Sequence, residues 1–275
     1  MLSGRTEKLP YSLSRWTDLP AAKWEWFQRM LDQGWMVGID PRTAIPGKWS
    51  LAPHETYGLI FWTKNPTNII RAAGRLKGSY PLVIHMTLTG WSEVEKGAPT
   101  LEEGLELMRE AAETFHPPQV TWRFSPIPTT LDVVDRFAKI AAEVEKIGIT
   151  EVYLAFLQEN DLMPEHRPVR VRRELLKLMA STTKLKLQLC NEDRTLAGPS
   201  MMSNLGSGIC ESGARFLPST YAIDAPKTEG CGCALAVDPF TINETCTMGC
   251  AYCYAADRSL APKKRNTTRS LPLVR

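Results

Sequence analysis

Residues 82–88 read LVIHMTL, residues 120–124 read VTWRF, and between them Leu101, Leu105, Met108 and Ala112 recur at helical spacing. A β-rich run, an amphipathic stretch and a second β-rich run spell strand, helix, strand. Two strands joined this way lie parallel, with a right-handed crossover. Thr100 and Glu103 mark the start of the helix as a T-x-x-E capping box. Outward from this unit, further strands are predicted at Trp35–Ile39 (WMVGI) and Tyr57–Trp62 (YGLIFW) upstream. Downstream they are predicted at Val152–Leu157 (VYLAFL) and Leu185–Leu189 (LKLQL). Helices are predicted from Pro20 to Leu31, through Val134, Phe137, Ala141 and Val144, and through Val171, Leu175 and Leu178.

Six such units at roughly 30 residues each fit the chain, whereas an eight-unit barrel of about 250 residues leaves no room for a separate cysteine-rich region. The predicted fold class is therefore α/β, an open, partial (β/α)6-type parallel barrel, with a doubly wound sheet as the alternative. The expected division is a barrel scaffold over residues 1–195 and a cysteine-rich region over residues 196–275 that packs on the barrel mouth.

Of 275 residues, 43% are apolar and 23% charged, the balance of a globular protein with a sizeable core. A formal net charge of +3 is too mild to establish a polyanion partner. No apolar run approaches the roughly 18 residues of a membrane span, and Met1–Pro10 (MLSGRTEKLP) has no apolar leader core. The expectation is a cytoplasmic protein with no membrane partner. In a reducing compartment seven cysteines, an odd number, point to metal or redox chemistry rather than disulfides.

In parallel α/β folds chemistry collects at the carboxyl ends of the strands. Here those ends carry Thr63-Lys64-Asn65-Pro66, Thr87-Leu88-Thr89-Gly90, Arg123-Phe124-Ser125-Pro126, Gln158-Glu159-Asn160 and Cys190-Asn191-Glu192. Turn preference alone accounts for Asn65-Pro66 and Ser125-Pro126. Lys64 and Arg123 suit a carboxylate or phosphate, Arg through its planar fork. Asp18, Glu93 and Glu95 are polar candidates without an assigned acid or base role. His54, His85, His116 and His166 are scattered, and His85, inside an apolar strand, reads as a hydrogen-bonded core histidine. The tryptophans, Trp16, Trp24, Trp26 and Trp35 among them, read as core packing, with an aromatic floor for a flat substrate as the alternative. The basic clusters Arg167, Arg170, Arg172, Arg173 and Lys263, Lys264, Arg265 read as solvated faces, a minority use of such clusters being phosphate binding.

The sharpest signal is Cys246-Thr-Met-Gly-Cys250-Ala-Tyr-Cys253, a C-x3-C-x2-C run with Tyr254 next in the chain and no further cysteine. Three thiolates this close can hold three irons of one cubane, leaving the fourth open to another ligand, unlike the four-cysteine ferredoxin run. Gly249 suits a tight loop in which a side chain would crowd the sulfurs. The run resembles the signature of the radical S-adenosylmethionine enzymes, in the G-C-x-Y-C-Y form of spore photoproduct lyase-like proteins. The resemblance implies a [4Fe–4S] cluster on Cys246, Cys250 and Cys253, with S-adenosylmethionine chelating the open iron and cleaved to a 5′-deoxyadenosyl radical. It places Tyr252 near the adenine. Lys64, Asn65, Arg123, Ser125 and Gly249 join Tyr252 as candidate cofactor-binding residues.

In that superfamily the motif normally stands after the first barrel strand; here it stands near the C-terminus. The chain resembles an uncharacterised subfamily with the same inversion, over Ser14–Pro20, Phe61–Pro66, Thr87–Gly90, Trp122–Ile127 and Cys231-Gly-Cys233, which implies a circularly permuted fold. The Gly-Gly-Glu strand that holds the methionine amino group is absent as a motif; Thr63, Lys64 and Asn65 stand in a suitable place. The remaining Cys190, Cys210, Cys231 and Cys233 could ligate a second [4Fe–4S] cluster, with a structural zinc or plain buried thiols as the alternatives.

The expected function is radical chemistry on an unactivated C–H bond of a thymidine-type nucleobase or nucleotide, free or in DNA, as in phage-type hypermodification, with an isomerase or lyase outcome. The alternatives are a peptide or amino-acid substrate, or a non-catalytic iron–sulfur or zinc module on nucleic acid. The expected partner is an electron donor such as flavodoxin or ferredoxin.

Overall fold

The computed structural model describes residues 9–14, 16–40, 45–130, 132–157, 168–190, 192, 196, 236–239 and 246–253. In chain order its first half comprises β1 (Pro10–Ser12), α1 (Leu19–Ala22), α2 (Trp24–Gln33), β2 (Trp35–Ile39), β3 (Pro46–Ser50), β4 (Gly58–Thr63), α3 (Thr67–Arg71) and α4 (Ala73–Leu76). The second half comprises β5 (Leu82–Thr87), α5 (Leu101–Phe115), β6 (Val120–Ile127), α6 (Asp132–Ile147), β7 (Glu151–Phe156), α7 (Val169–Ser181) and β8 (Lys186–Leu189). Six strands form one sheet in the order β1-β4-β5-β6-β7-β8, parallel throughout. From β4 onward each strand reaches its neighbour through helix, as the strand–helix–strand pattern requires. The α/β class and the parallel six-stranded sheet are as expected.

Two predicted elements stand elsewhere. Trp35–Ile39 is not a strand of the six-stranded sheet: it pairs antiparallel with β3 in a separate two-stranded hairpin. Its place in the sheet belongs to β1, three residues (PYS) too short to carry an alternating signal. A further segment joins beyond β1, where Val237 pairs parallel with Tyr11 and Asp238 pairs antiparallel with Ile39. The helix predicted from Pro20 to Leu31 breaks at Lys23 into α1 and α2.

Side chains alternate along a strand, so the register sorts them onto two faces. One face carries Leu59 and Phe61, Ile84 and Met86, Trp122 and Phe124, Val152 and Leu154, and Leu187 and Leu189, all within the main apolar core. The helices pack there: Phe27 of α2 sits 5.8 Å from Phe61, and Phe137 of α6 stacks 5.1 Å from Trp122. Capping is as read, since Thr100 accepts from the Glu103 N–H and Glu103 reaches back to the Thr100 N–H. The α7 stripe is rotated from the predicted one. Leu175, Leu176 and Met179 are buried with Arg172, whereas Val171 and Leu178 are exposed. Spacing of three and four fits both sets, and the polar Arg172 hid the second.

The opposite face is apolar where Ile60 pairs with Val83 and mostly polar beyond them. It presents Trp62 on β4, His85 and Thr87 on β5, Thr121, Arg123 and Ser125 on β6, Tyr153 and Ala155 on β7, and Gln188 on β8 with Cys190 just after its end. His85 is fully buried, stacked 4.0 Å from Trp62, with its Nδ1 2.5 Å from the Thr121 hydroxyl. Among the described residues no helix is long and apolar enough to cross a membrane.

Candidate functional site

The loop after β1 runs to Asp18, which is buried and caps α1 by accepting from the Ala21 N–H. The same carboxylate accepts from the Thr63 hydroxyl and the Lys64 N–H, both at 2.7 Å, and so ties the end of β4 to the end of β1. Burial pushes its pKa up to about 6 against these hydrogen bonds. The Asp18 backbone N–H points to the Cys246 sulfur at 3.4 Å.

Residues 246–253 lie along Trp91–Ala98, the segment after β5. Glu95 and Cys250 form an antiparallel bridge, the Ala251 N–H donates to the Val94 carbonyl, and the Gly97 N–H donates to the Met248 carbonyl. The approach is close: a Cβ on Gly97 would come to 1.9 Å from the Thr247 carbonyl oxygen. Gly249 has φ +59, left-handed backbone that a side chain strains. Buried Glu95 accepts from the Thr89 hydroxyl at 2.7 Å and from the Tyr252 phenol, and lies 2.9 Å from the Lys64 ammonium. Burial first, then the Glu95 charge, raises the Tyr252 pKa. Burial pushes the Cys250 thiol up to about 11, with Lys64 opposing and Glu95 adding; burial likewise raises Cys246. A bound metal reverses that balance, because coordination deprotonates a thiol outright.

Three thiols, none in a disulfide, thus stand at the carboxyl ends of β1, β4 and β5. Among the described residues no group of three His, Cys, Asp or Glu side chains is gathered as the ligands of one metal ion. A soft, all-thiol donor set suits an iron–sulfur cluster, in which each cysteine holds a different iron. In the loop that carries Asp18, the Ser14 and Thr17 hydroxyls are buried without a hydrogen-bond partner. A cofactor seated there would meet them.

The sequence-derived candidates fall into two groups. Lys64, Gly249, Tyr252 and the three cysteines come together. Asn65 stands beside them, but its side-chain oxygen takes the Thr67 N–H and hydroxyl at the start of α3. Arg123, Ser125 and Cys190 form a second cluster on the polar face, where Arg123 donates to the Cys190 sulfur at 3.1 Å and the Ser125 hydroxyl at 3.3 Å. Arg15, Gln158, Glu159, Asn160, His166, Arg167, Cys210, Cys231, Cys233, Tyr254 and Lys263–Arg265 lie outside the described residues, so the four-cysteine set is represented by Cys190 alone. Of the basic cluster on α7, Arg172 is no solvated residue: it is buried and pairs with Glu192 at 2.8 Å. Asp18 and Glu95 emerge with definite partners, while Glu93 is exposed. Gly97 carried no signal in sequence, because its role rests on a contact with residues 150 positions away.

The chain matches a domain of unknown function, DUF1848, over residues 11–255. No curated protein matches it. Among solved structures it is similar to a candidate phosphonomutase from Burkholderia cenocepacia J2315, at 9% identity and TM-score 0.34, over 52% of this chain and 57% of that one. It is also similar to the carboxyl transferase domain of Rhizobium etli pyruvate carboxylase, at 12% identity and TM-score 0.34, over 50% of this chain and 23% of that one. The chain therefore spans less than two thirds of either relative, and likenesses this distant carry no argument about its chemistry.

Proposed function

We propose, for a chain that belongs to the DUF1848 family, a radical S-adenosylmethionine enzyme built on a circularly permuted parallel sheet. The observation that carries the reading is the seating of the C-x3-C-x2-C loop at the carboxyl ends of β1, β4 and β5, held by Asp18, Glu95 and Gly97. The permutation is supported by Val237, which lies parallel to β1 at the sheet edge and precedes the cysteine loop. That is the order expected of a first barrel strand and its motif, moved to the end of the chain.

Cys246, Cys250 and Cys253 would hold a [4Fe–4S] cluster. When bound together, the cluster and S-adenosylmethionine supply a one-electron cleavage that releases a 5′-deoxyadenosyl radical able to take hydrogen from a C–H bond. The remaining work falls to the chain. The Asp18 N–H favours the Cys246 thiolate, since a hydrogen bond to a charged form stabilises it. Lys64 does the same for Cys250 through its charge. Glu95 fixes the Tyr252 ring beside the loop, and Lys64 sits 6.0 Å from that ring. The buried Ser14 and Thr17 hydroxyls are the groups offered to the polar end of the sulfonium. A thymidine-type nucleotide is the substrate we propose, and flavodoxin or ferredoxin the class of donor.

Protein reconstituted without oxygen, reduced and mixed with S-adenosylmethionine is expected to form 5′-deoxyadenosine, with about four irons per cluster. Cys250→Ala should abolish both. A wild-type protein that holds its cluster, yet forms none and gives a cluster spectrum indifferent to the sulfonium, overturns the reading.

A further inference from the structure

A narrow cleft opens beside the cysteine loop, at the carboxyl ends of β4 and β5. Lys64, Thr87, Leu88, Trp91, Glu95 and Leu101 line it, so the segment after β5 and the start of α5 form its walls. Its volume is about 290 Å³ with its mouth included. Glu95, 5% exposed, uses its two carboxylate oxygens unequally. Oε1 takes the Thr89 hydroxyl at 2.7 Å, the Tyr252 phenol and the Lys64 ammonium at 2.9 Å. Oε2 accepts from none of the described residues. A carboxylate has acceptor sites on both oxygens, and leaving one unused in a buried residue is costly. Trp91 lines the same cleft at 8% exposure, and its Nε1–H is buried without a hydrogen-bond partner among the described residues. Arg136 fixes the indole: its guanidinium lies 4.0 Å from the ring centroid and donates to the Gly90 carbonyl. The Glu95 N–H donates to the Trp91 carbonyl at 2.9 Å, which closes one helical turn. Residues four apart on such a turn project to one side. The cleft therefore offers one unused acceptor and one unused donor from neighbouring positions.

We infer that this cleft reads the neutral imide edge of a ring such as thymine, whose N–H goes to Glu95 Oε2 and whose carbonyl takes the Trp91 Nε1–H. Lys64 decides the charge of the ligand. Its ammonium already balances the Glu95 carboxylate, so the cleft calls for neither a second cation nor an anion. The turn decides the shape of the edge. Both protein groups come from one side, whereas a trans amide points its N–H and its C=O in opposite directions. A cyclic imide carries the two side by side. The cleft lies at the lower end of ligand-site volumes, roughly 300 Å³, so it takes the edge of a base and not a whole nucleotide. As a substrate site it rests on the radical-enzyme reading, whose cysteine loop meets it through Glu95 and Tyr252. As an imide site it does not.

The full chain, reconstituted with iron and sulfide, is titrated with thymidine and with 3-methylthymidine, and binding is followed by ligand-observed NMR. The second nucleoside keeps both carbonyls and lacks the N3–H. Thymidine is expected to bind about tenfold more tightly or better, the worth of a hydrogen bond to a charged acceptor. Glu95→Gln keeps the shape of the cleft and removes the charge, so the preference should fall about fivefold. Exclusion of the methyl group by shape alone would leave it intact. Trp91→Phe should weaken both nucleosides about fivefold and leave their ratio unchanged, since both present a carbonyl. The ratio is internal to each variant, so a partial loss of fold does not imitate the result; if Glu95→Gln does not fold, Trp91→Phe carries the test. Wild-type protein that binds neither nucleoside, or both alike, overturns the proposal. So does a folded Glu95→Gln that keeps the wild-type ratio, or a folded Trp91→Phe that keeps the wild-type affinities. N-acetylglutamine amide bound more tightly than thymidine would put a primary carboxamide in the cleft and overturn the imide. The titrations contain neither reductant nor S-adenosylmethionine. Failed cleavage beside intact titration therefore counts against the radical reading alone, and the reverse result against the imide site alone.

Discussion

The two faces of the parallel sheet obey different rules although they belong to the same strands. The helix-packed face is built of Leu, Ile, Val, Met, Phe and Trp, with aromatic rings in mutual contact such as Trp122, Phe124 and Phe137. The other face, equally sheltered at His85, Thr121, Tyr153 and Gln188, carries beyond Ile60 and Val83 a set of groups that need partners. Burying polar side chains costs free energy unless each is matched, so the second face is unfavourable where the first is favourable. The two faces of one sheet thus contribute unequally to stability, and at its carboxyl ends Lys64 meets the cysteine loop through Glu95 and Tyr252.

The strongest way to break this division is at Trp122. Its ring is fully buried, stacks on Phe137, and donates from Nε1 to the Leu88 carbonyl at 2.9 Å. Trp122→Ala should lower the free energy of unfolding by about 4 kcal/mol in a urea titration. A loss below about 1 kcal/mol would mean that this face does not hold the fold together.

The helix-packed side also contains a charge pair, matched at the carboxylate although the Arg172 Nε is buried without a hydrogen-bond partner. Arg172 and Glu192 are buried, and Glu192 also accepts from the Phe156 N–H at 2.7 Å. Burial nevertheless pushes the Glu192 pKa up to about 7, with Phe156 and Arg172 opposing. A carboxyl raised in the folded state binds more protons there than in the unfolded chain. Its contribution is therefore fully present below the unfolded value near 4.5 and is lost as pH rises through about 7. Arg172→Met removes the counter-charge and enlarges the shift. We expect a loss of about 3 kcal/mol at pH 8 that shrinks toward pH 5, where Glu192 is neutral. Urea midpoints at the two pH values check it; a loss independent of pH would show that Arg172 acts by packing alone.

Much of this architecture was legible. Strands such as β4 and β5 read as near-continuous apolar runs because they are sheltered on both sides, and Thr100 with Glu103 announced α5. WMVGI misled because it has the composition of a sheet strand, while its actual partner, PGKWS, has no β signal at all. The cysteine spacing identified the metal candidate, and Asp18 and Glu95 were visible as polar residues without roles. Their roles depend on Thr63, Tyr252 and Lys64, which only the fold brings near. Arg172 read as a member of a surface cluster because its partner lies 20 residues on, beyond the helix.

The finest test of the comparison is a substitution predicted to help. Gln188 has the burial of a core residue, and its side-chain oxygen has no hydrogen bond to offset that burial. Leu is close to its volume, fits a β-strand, and asks for no partner. If the face is kept polar for a ligand rather than for the fold, Gln188→Leu should raise stability by about 1 kcal/mol, read as an upward shift of the urea midpoint at unchanged slope. The other face offers no such opening, since Leu187 and Leu189 already occupy it. Were Gln188→Leu instead to destabilise the protein, the amide would be bonded within the fold, and the polar face would be part of the scaffold rather than a surface held ready for another molecule.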